Sequence, residues 1–179
     1  MNVSVNQNRL TPAPSPWVMQ FASLVTPAGR VLDVACGAGR HSLFFASMGH
    51  CVDAVDRDTS GLFQVPACVR VLKADIEAGP WPYEGQLFAG VIVNNYLHRP
   101  LMRKLIDCVA PGGALIYETF AAGNEHYGRP SRAEFLLQPG ELLDAVRGHL
   151  RVVAFEDTYT DFPKPAKVQR VAAIRATAQ

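Results

Sequence analysis

Residues 31–41 run from a short apolar segment, through a glycine-rich turn, into an amphipathic segment. The sequence there is Val-Leu-Asp-Val-Ala-Cys-Gly-Ala-Gly-Arg-His. Gly37 and Gly39 let the backbone turn sharply and approach a ligand closely. The helix that follows would present free N–H groups and the positive end of its dipole. This pattern is typical of the strand–loop–helix unit on which α/β proteins bind nucleotide-like cofactors.

Apolar segments of strand length alternate with amphipathic segments of helix length along the chain. Helices are predicted over residues 16–24, 40–49, 101–109 and 139–150. Strands are predicted over residues 31–35, 51–55, 69–73, 88–93, 114–120, 152–156 and 168–174. This alternation predicts an α/β fold in which a doubly wound, mostly parallel sheet is covered by helices on both faces. Because no helix separates the last two strands, we expect them to form an antiparallel pair at one edge.

The length of 179 residues predicts one domain, which we place at residues 16–179, after a flexible arm at residues 1–15. The net charge of +1 gives no reason to expect nucleic acid or an anionic membrane as a partner. The amino terminus lacks the basic start and the apolar core of a secretory signal, so we expect a cytoplasmic location. The four cysteines show no spacing typical of zinc ligands, and we expect neither a disulfide nor a metal site.

Acidic residues stand where the second and third predicted strands end. Asp56 follows the second strand, at a position where a carboxylate can accept hydrogen bonds from a ribose diol. Asp75 follows the third strand, where a carboxylate can accept from an exocyclic amino group such as that of adenine. The carboxyl ends of parallel strands meet at one edge of a sheet. Asp56 and Asp75 are therefore predicted to join the glycine loop in one site.

Two features of the glycine loop argue against a nicotinamide dinucleotide as the ligand. The dinucleotide fingerprint has a third glycine where this chain has Ser42. Asp33 lies inside the end of the strand, before the glycines, and the chain has no Tyr-x-x-x-Lys pair for hydride transfer. These features favour S-adenosylmethionine (SAM), although both cofactors carry the ribose diol that Asp56 would bind.

Three motifs follow one another along the chain: Asp33-Val-Ala-Cys-Gly-Ala-Gly, Val52-Asp-Ala-Val-Asp and Lys73-Ala-Asp. They resemble the successive cofactor motifs of class I SAM-dependent methyltransferases. The resemblance implies a Rossmann-like methyltransferase fold with the strand order 3-2-1-4-5-7-6, in which strand 7 is antiparallel. It also implies SAM as the cofactor and S-adenosylhomocysteine (SAH) as the product. Ala35 departs from the pattern, because the first glycine of the family's loop usually stands there, and we expect SAM binding to survive this change.

The resemblance assigns roles to the residues that match its motifs. Asp33 would lie near the amino group of SAM, and Asn94 would face the methionine side. Asp56 would bind the ribose hydroxyls, whereas Asp75 and the backbone N–H of Ile76 would bind adenine. The loop that packs against the methionine moiety would comprise Ala35, Cys36, Gly37 and Gly39.

Four further segments are similar to those of small bacterial methyltransferases known as tellurite-resistance-like. They are Cys36-Gly-Ala-Gly-Arg-His, Asn95-Tyr-Leu-His-Arg-Pro, Ile116-Tyr-Glu-Thr-Phe and Phe135-Leu-Leu-Gln-Pro-Gly-Glu-Leu. This narrower resemblance fits the compact size of the chain.

Methyl transfer from SAM depends mainly on positioning, since the sulfonium is its own leaving group. Tyr96, His98 and Arg99 follow the fourth strand, beside the expected position of the methyl group, and Tyr127 lies on the irregular segment 121–138. His98 would take a proton, and Arg99 would hold an anionic acceptor. We expect a small-molecule acceptor that is soft or anionic, such as a thiol or a chalcogen oxyanion, since these need no general base. The protein is expected to be a monomer or a homodimer.

Three alternatives remain open from the sequence. A nicotinamide-dependent oxidoreductase would use the same edge of the sheet, and a SAM-binding protein without catalysis would use the same motifs. A nucleic-acid or protein methyltransferase is less favoured. DNA methyltransferases that act on amino groups usually carry a motif resembling Asp/Asn-Pro-Pro-aromatic after the fourth strand. This chain has Asn94-Asn95-Tyr96-Leu97 there.

Overall fold

The computed structural model describes residues 12–62 and 64–177. Seven strands form one sheet in the order β3-β2-β1-β4-β5-β7-β6. The strands are β1 (Val31–Val34), β2 (Val52–Asp56), β3 (Val69–Lys73), β4 (Phe88–Asn94), β5 (Val109–Phe120), β6 (Arg151–Thr160) and β7 (Ala166–Ile174). The first five strands are parallel, and β7 runs antiparallel to both β5 and β6. The predicted fold class, strand order and antiparallel edge pair are confirmed.

Two helices lie on each face of the sheet. They are α1 (Pro16–Phe21), α2 (Arg40–Ser47), α3 (Met102–Asp107) and α4 (Glu141–Val146). Helices α1 and α2 bury Trp17 and Phe45 against one face. Helices α3 and α4 bury Leu105 and Leu142 against the other. Continuous apolar strands fit this arrangement because both faces of the sheet are withdrawn from water.

Helix α4 is shorter than the segment 139–150 predicted for it. Gly140 precedes the helix with a φ of 73°, and the backbone of Arg147 leaves the helical region after it. Gly148 then takes a φ of 79°. Left-handed glycines of this kind bound a helix, because they redirect the chain without a steric cost.

The segment 74–87 contains no helix, as its glycines and prolines predict. It contributes Trp81 and Tyr83 to the core instead. Tyr83 packs edge-to-face against Trp81 and Phe88, with ring centroids 5.4 and 5.5 Å apart. These aromatic rings cover sheet surface that a crossover helix would otherwise cover.

Of the arm predicted over residues 1–15, residues 1–11 lie outside the described part of the chain. Ser15 is 4% exposed, and its hydroxyl accepts a hydrogen bond of 3.2 Å from the backbone N–H of Trp17. It therefore caps α1, with Pro16 in the first turn, as both residue types favour. In the described ranges no helix has the length and hydropathy needed to cross a membrane.

Candidate functional site

The glycine loop joins the end of β1 to the start of α2. Gly37 and Gly39 have φ angles of 54° and 76°, in the left-handed region that favours glycine. A Cβ atom on Gly39 would lie 2.1 Å from the side chain of Leu62. The N–H of Gly37 donates a 2.8 Å hydrogen bond to the Asp56 carboxylate, which ties the loop to the end of β2.

Three cavities open at the carboxyl ends of the parallel strands. The first cavity, of about 510 Å³, is lined by Asp56, Asp75, Ile76 and Tyr96, among others. The second, of about 280 Å³, is lined by the glycine loop together with Asp33, Arg40 and Asn94. The third, of about 490 Å³, lies between residues 12–16, the end of β5 and the β6–β7 hairpin. Eight of the nine predicted cofactor residues line the first or second cavity: Asp33, Ala35, Cys36, Gly37, Asp56, Asp75, Ile76 and Asn94.

Asp33 is 1% exposed, and its carboxylate accepts a 2.5 Å hydrogen bond from the Ser42 hydroxyl. Burial raises the pKa of Asp33 to about 6, and the Ser42 hydrogen bonds and the nearby Arg40 charge oppose this shift. Ser42, which replaces the third glycine of the dinucleotide fingerprint, therefore has a defined partner. Above pH 6 the second cavity contains a buried negative charge.

Asp56 and Asp75 end their strands with different hydrogen bonds. Besides Gly37, Asp56 accepts from the N–H of Asp58 at 2.9 Å. Asp75 accepts from the N–H groups of Glu77 and Ala78, both at 3.0 Å, and these bonds lower its pKa. Both carboxylates are therefore held in place by backbone N–H groups.

A chain of hydrogen bonds connects α2 to the sheet behind the second cavity. The Arg40 guanidinium donates to the Asn94 side-chain oxygen. The Asn94 amide donates to Glu118 at 2.9 Å. Glu118 also accepts from Arg170 at 3.2 Å and from the Ser15 hydroxyl at 2.9 Å. The orientation of Arg40 thus depends on groups from β4, β5 and β7.

His41 links the same chain to α1. Its Nε2 accepts a 3.1 Å hydrogen bond from the backbone N–H of Ser15, so the ring is neutral with its proton on Nδ1. Burial, followed by the charge of Arg40, lowers the pKa of His41 to about 3. The neutral ring holds the start of α1 beside the glycine loop.

Asn95 lines all three cavities. Its φ angle is 57°, a left-handed conformation that asparagine tolerates better than most non-glycine residues. Its backbone N–H donates a 2.9 Å hydrogen bond to the carbonyl of Glu118. The sequence predicts no role for Asn95, and its one local signal is the Asn-Asn pair at the end of an apolar strand.

The four predicted catalytic residues do not meet at one point. Tyr96 lines the first cavity, and its buried hydroxyl has no hydrogen-bond partner within residues 12–62 and 64–177. Burial, followed by the charge of Glu77, raises the Tyr96 pKa. His98 lies 3.9 Å from the Glu77 carboxylate. Tyr127 is 49% exposed and packs on Tyr159, with ring centroids 5.1 Å apart. Neither His98 nor Tyr127 lines any of the three cavities.

Arg99 faces the segment 121–138 instead of a cavity. Its guanidinium donates to both oxygens of Glu141, at 2.6 and 2.9 Å. It also donates to the carbonyls of Glu134 and Leu136, both at 2.8 Å. The donors that would hold an anionic acceptor are therefore used within the protein. This geometry does not favour the predicted role of Arg99 in holding an anionic acceptor, and the contacts of Arg99 position the segment 121–138.

Residues 5–76 match the family model described as tellurite resistance protein TehB. TehB from Haemophilus influenzae matches 92% of this chain with a TM-score of 0.73 at 17% identity, and this chain spans 63% of that protein. Another match is a TehB-like SAM-dependent methyltransferase from Corynebacterium glutamicum, with a TM-score of 0.64 at 14% identity. The match covers 89% of this chain and 86% of the C. glutamicum chain. The fold is that of the SAM-dependent methyltransferases.

A third match is Burkholderia thailandensis 1,6-didemethyltoxoflavin-N1-methyltransferase, described with bound 1,6-didemethyltoxoflavin and SAH. The match covers 90% of this chain and 77% of the B. thailandensis chain, with a TM-score of 0.65 at 17% identity. No curated protein sequence matches this chain significantly. The resemblance predicted from the motifs is confirmed by the match of residues 5–76 to the TehB family model and by the shared fold.

Proposed function

We propose that this protein is a SAM-dependent methyltransferase that acts on a small organic molecule. The observation that carries the proposal is the meeting of three cavities at Asn95. Two of these cavities contain the motif residues of a SAM site, and the third leaves space for a methyl acceptor. When bound, SAM supplies a methyl group activated by its sulfonium.

The residues of the first two cavities fit the two halves of SAM. Asp56 would accept from the ribose hydroxyls, and Asp75 from the adenine amino group, beside the apolar side chain of Ile76. Asp33 and the glycine loop would receive the methionine half in the second cavity. Charged and polar groups thus stand at opposite ends of an elongated site, as the two ends of SAM require.

The third cavity fits a small organic acceptor. Its walls include the apolar side chains of Phe120, Phe162 and Val168, and polar groups of Asn95 and Glu118 stand at its inner end. A small number of polar groups among apolar walls is typical of sites that bind small molecules. A thiol or another soft anion would need no general base here, which agrees with the separation of His98 and Tyr127 from the cavities.

A SAM-binding protein without catalysis is the second candidate. The same dispersal of the predicted catalytic side chains favours it. Among the described residues no histidine lines the third cavity, where a neutral acceptor would have to lose its proton. From the sequence alone we also propose a cytoplasmic monomer or homodimer with no nucleic-acid or membrane partner.

Calorimetric titration tests the cofactor half of the proposal. Wild-type protein is expected to bind SAM and SAH and not NAD. Asp56→Ala should weaken SAM binding at least about tenfold, because hydrogen bonds from the ribose hydroxyls to a carboxylate are lost. Asp58→Ala, a neighbour on the same loop, is the control and should leave the affinity unchanged. Tight NAD binding without SAM binding would overturn the proposal in favour of an oxidoreductase.

A transfer assay tests the acceptor half. Labelled SAM is incubated with small thiols, heteroaromatic amines, carboxylates, selenite and tellurite, and labelled products are counted. Ala166→Trp should suppress any transfer by filling the third cavity, while SAM affinity stays unchanged. Binding of SAM with no transfer to any acceptor class would favour the second candidate.

A further inference from the structure

The third cavity runs across the ends of four neighbouring strands. Asn95 follows β4, Phe120 ends β5, Val168 lies near the start of β7, and Thr160 ends β6. These strands are neighbours in the order β4-β5-β7-β6, so three strand spacings, or about 14 Å, separate β4 from β6. The cavity therefore has an inner end at Asn95, next to the proposed cofactor site, and an outer end at the β6–β7 hairpin.

The walls between the two ends are mostly apolar. Phe120 and Val168 line the cavity from the sheet, and three prolines line it from the segment 12–16. Phe162, in the β6–β7 hairpin, is 64% exposed, so its ring has apolar surface left to cover a bound molecule. Walls of this kind favour a flat apolar body, because an aromatic ring gains most from contact along its face.

Positive charge exceeds negative charge among the described residues that line this cavity. The cations are Arg40, Lys164 and Arg170, and the acid is Glu118. Arg170 pairs with Glu118 at 3.2 Å and with Glu156 at 2.6 Å. A cationic acceptor would therefore find no unpaired carboxylate among the described lining residues.

Lys164 supplies the excess charge at the outer end. Arg40 lies at the inner end, where its charge also acts on Asp33 of the second cavity. Lys164 lies in the β6–β7 hairpin, and in the described part of the chain no carboxylate is within ion-pair distance of it, whereas Lys104 and Lys167 each have such a partner. The outer end of the third cavity thus has a cation that can pair with an anionic group of a ligand.

Resting on the proposed function, we infer that the methyl acceptor is an amphipathic carboxylate, with a flat apolar body and its anionic group at the end remote from the methylated atom. Lys164 pairs with the carboxylate at the outer end, and Phe120 and Phe162 contact the body. The atom that receives the methyl group then lies beside Asn95. The charge recognises the acceptor and sets its orientation without taking part in the transfer.

Three naphthalene probes with the same flat body test the role of charge. Naphthalene-2-carboxylate, naphthalene-2-carboxamide and 2-naphthylmethylammonium are titrated by calorimetry into the full chain saturated with SAH. Wild-type protein should bind the carboxylate about three- to fivefold more tightly than the carboxamide, since a partly exposed ion pair has about that effect. It should bind the ammonium probe most weakly. Higher salt should reduce the preference, because it screens exposed charges.

Two substitutions separate the charge from the body. Lys164→Met should make the carboxylate and the carboxamide bind equally, through weaker carboxylate binding alone, and Lys164→Glu should favour the ammonium probe. Phe162→Ala should weaken all three probes by a similar factor, because they share the apolar body that it contacts. Both side chains are exposed, so neither change should affect folding. Lys104→Met, which removes an exposed lysine of α3, is the matched control and should keep the wild-type preference.

Equal binding of the carboxylate and the carboxamide to wild-type protein would overturn the inference. A preference for the carboxylate that survives in Lys164→Met would overturn it as well, because another cation would then supply it. Failure of all three probes to bind the SAH-loaded protein would also overturn it, although the cofactor site would stand. Protein that does not bind SAH would instead overturn the proposed function on which the inference rests.

Discussion

At the scale of single residues, Ala35 is strained. Its φ angle is 51°, in the left-handed region where a Cβ atom meets the following carbonyl oxygen. Its side chain lines both the first and the second cavity. Methyltransferases that resemble this chain usually have glycine at the corresponding position. The strain is therefore located at the turn that shapes the proposed cofactor site.

Ala35→Gly should stabilise the protein slightly. Relief of the left-handed strain is worth about 1–2 kcal/mol, and the greater freedom of glycine in the unfolded chain offsets about 1 kcal/mol of it. Denaturant unfolding is expected to show a net gain of at most about 1 kcal/mol, with SAH affinity unchanged. Ala46→Gly, inside α2, should instead lose about 1 kcal/mol. A destabilised Ala35→Gly protein would show that the methyl group packs productively in the loop.

Asp33 should make both stability and binding depend on pH. Its folded pKa of about 6 lies above the ordinary value of 3.8, so the ionised form destabilises the fold as pH rises through this window. Asp33→Asn should therefore be more stable than wild type by up to about 3 kcal/mol at pH 8 and equally stable at pH 4.

The same carboxylate should set the pH dependence of ligand binding. SAH affinity of wild-type protein should fall about tenfold per unit below pH 6, because the proposed ammonium contact needs ionised Asp33. Asp33→Asn should bind weakly at every pH. Ser42→Ala should move the transition to higher pH, since a hydrogen bond that favours the carboxylate is lost. A binding profile that is flat from pH 5 to 8 would contradict the assignment.

Residues at strand ends and in the glycine loop could be located from the sequence, whereas Asn95 and Arg40 could not. Asp33, Asp56 and Asp75 follow apolar strands, and parallel strands end at a common edge, so their meeting follows from the fold class. Asn95 and Arg40 acquire their positions from the path of the chain around them. Their importance depends on cavities formed by residues 12–16 and the distant β6–β7 hairpin.

At the scale of elements, Arg99 joins three parts of the chain. It follows β4, binds Glu141 at the start of α4 and binds two carbonyls of the segment 121–138. Glu141 also accepts from the N–H of Gln138 at 2.7 Å, and its hydrogen bond with Arg99 lowers its pKa. Pro130 and Phe135 of this segment line the first cavity. The clamp thus shapes a wall of the proposed adenosine site.

Arg99→Met should loosen that wall. We expect a loss of about 1–2 kcal/mol in unfolding free energy, because the pair with Glu141 is partly exposed and screened. Hydrogen exchange should accelerate across residues 121–138, and SAH should bind more weakly. Arg103→Met removes an exposed pair with Asp107 on α3 and should cost less than about 0.5 kcal/mol. Unchanged exchange in the segment would refute the clamp.

The sheet could be predicted from the sequence more fully than its connections. The runs of apolar residues in the sequence locate all seven strands, most of them to within a few residues of their observed bounds. They do so because burial on both faces of the sheet demands continuous apolar side chains. The predicted fifth strand began at Ala114, whereas β5 begins at Val109 and continues through Pro111-Gly112-Gly113 with a shift of register against β4. Glycine and proline obscured that irregular start, since they usually end strands.

At the scale of the whole molecule, one polar network connects Ser15 and the β6–β7 hairpin to the start of α2, next to the glycine loop. Ser15 binds His41 and Glu118, and Glu118 binds Asn94 and Arg170. Arg170, on β7, also binds Glu156 on β6 at 2.6 Å. The network passes behind the second cavity and beside the third. A change in charge at one member should therefore be measurable as a change in global stability.

His41 provides that measurement through its neutral ring. Its folded pKa of about 3 lies below the ordinary value of 6.5, so the stability that depends on the neutral ring is complete above pH 6.5. It is lost as pH falls, because the unfolded chain takes up the proton first. From pH 7 to 5 the loss from His41 should reach about 2 kcal/mol. Protonation of Asp33 stabilises the fold as pH falls over part of this range, so the net loss of stability in wild-type protein is smaller.

His41→Gln separates the two effects. Glutamine retains an oxygen that can accept from the N–H of Ser15, and it does not titrate. Denaturant unfolding at pH 7 and pH 5 should show that the variant loses about 2 kcal/mol less than wild type on acidification. His126→Gln, on an exposed side chain, is the control and should follow the wild-type profile. If wild type and His41→Gln change in parallel, His41 is not buried in its neutral form, and the link between α1 and the glycine loop must be held by other groups.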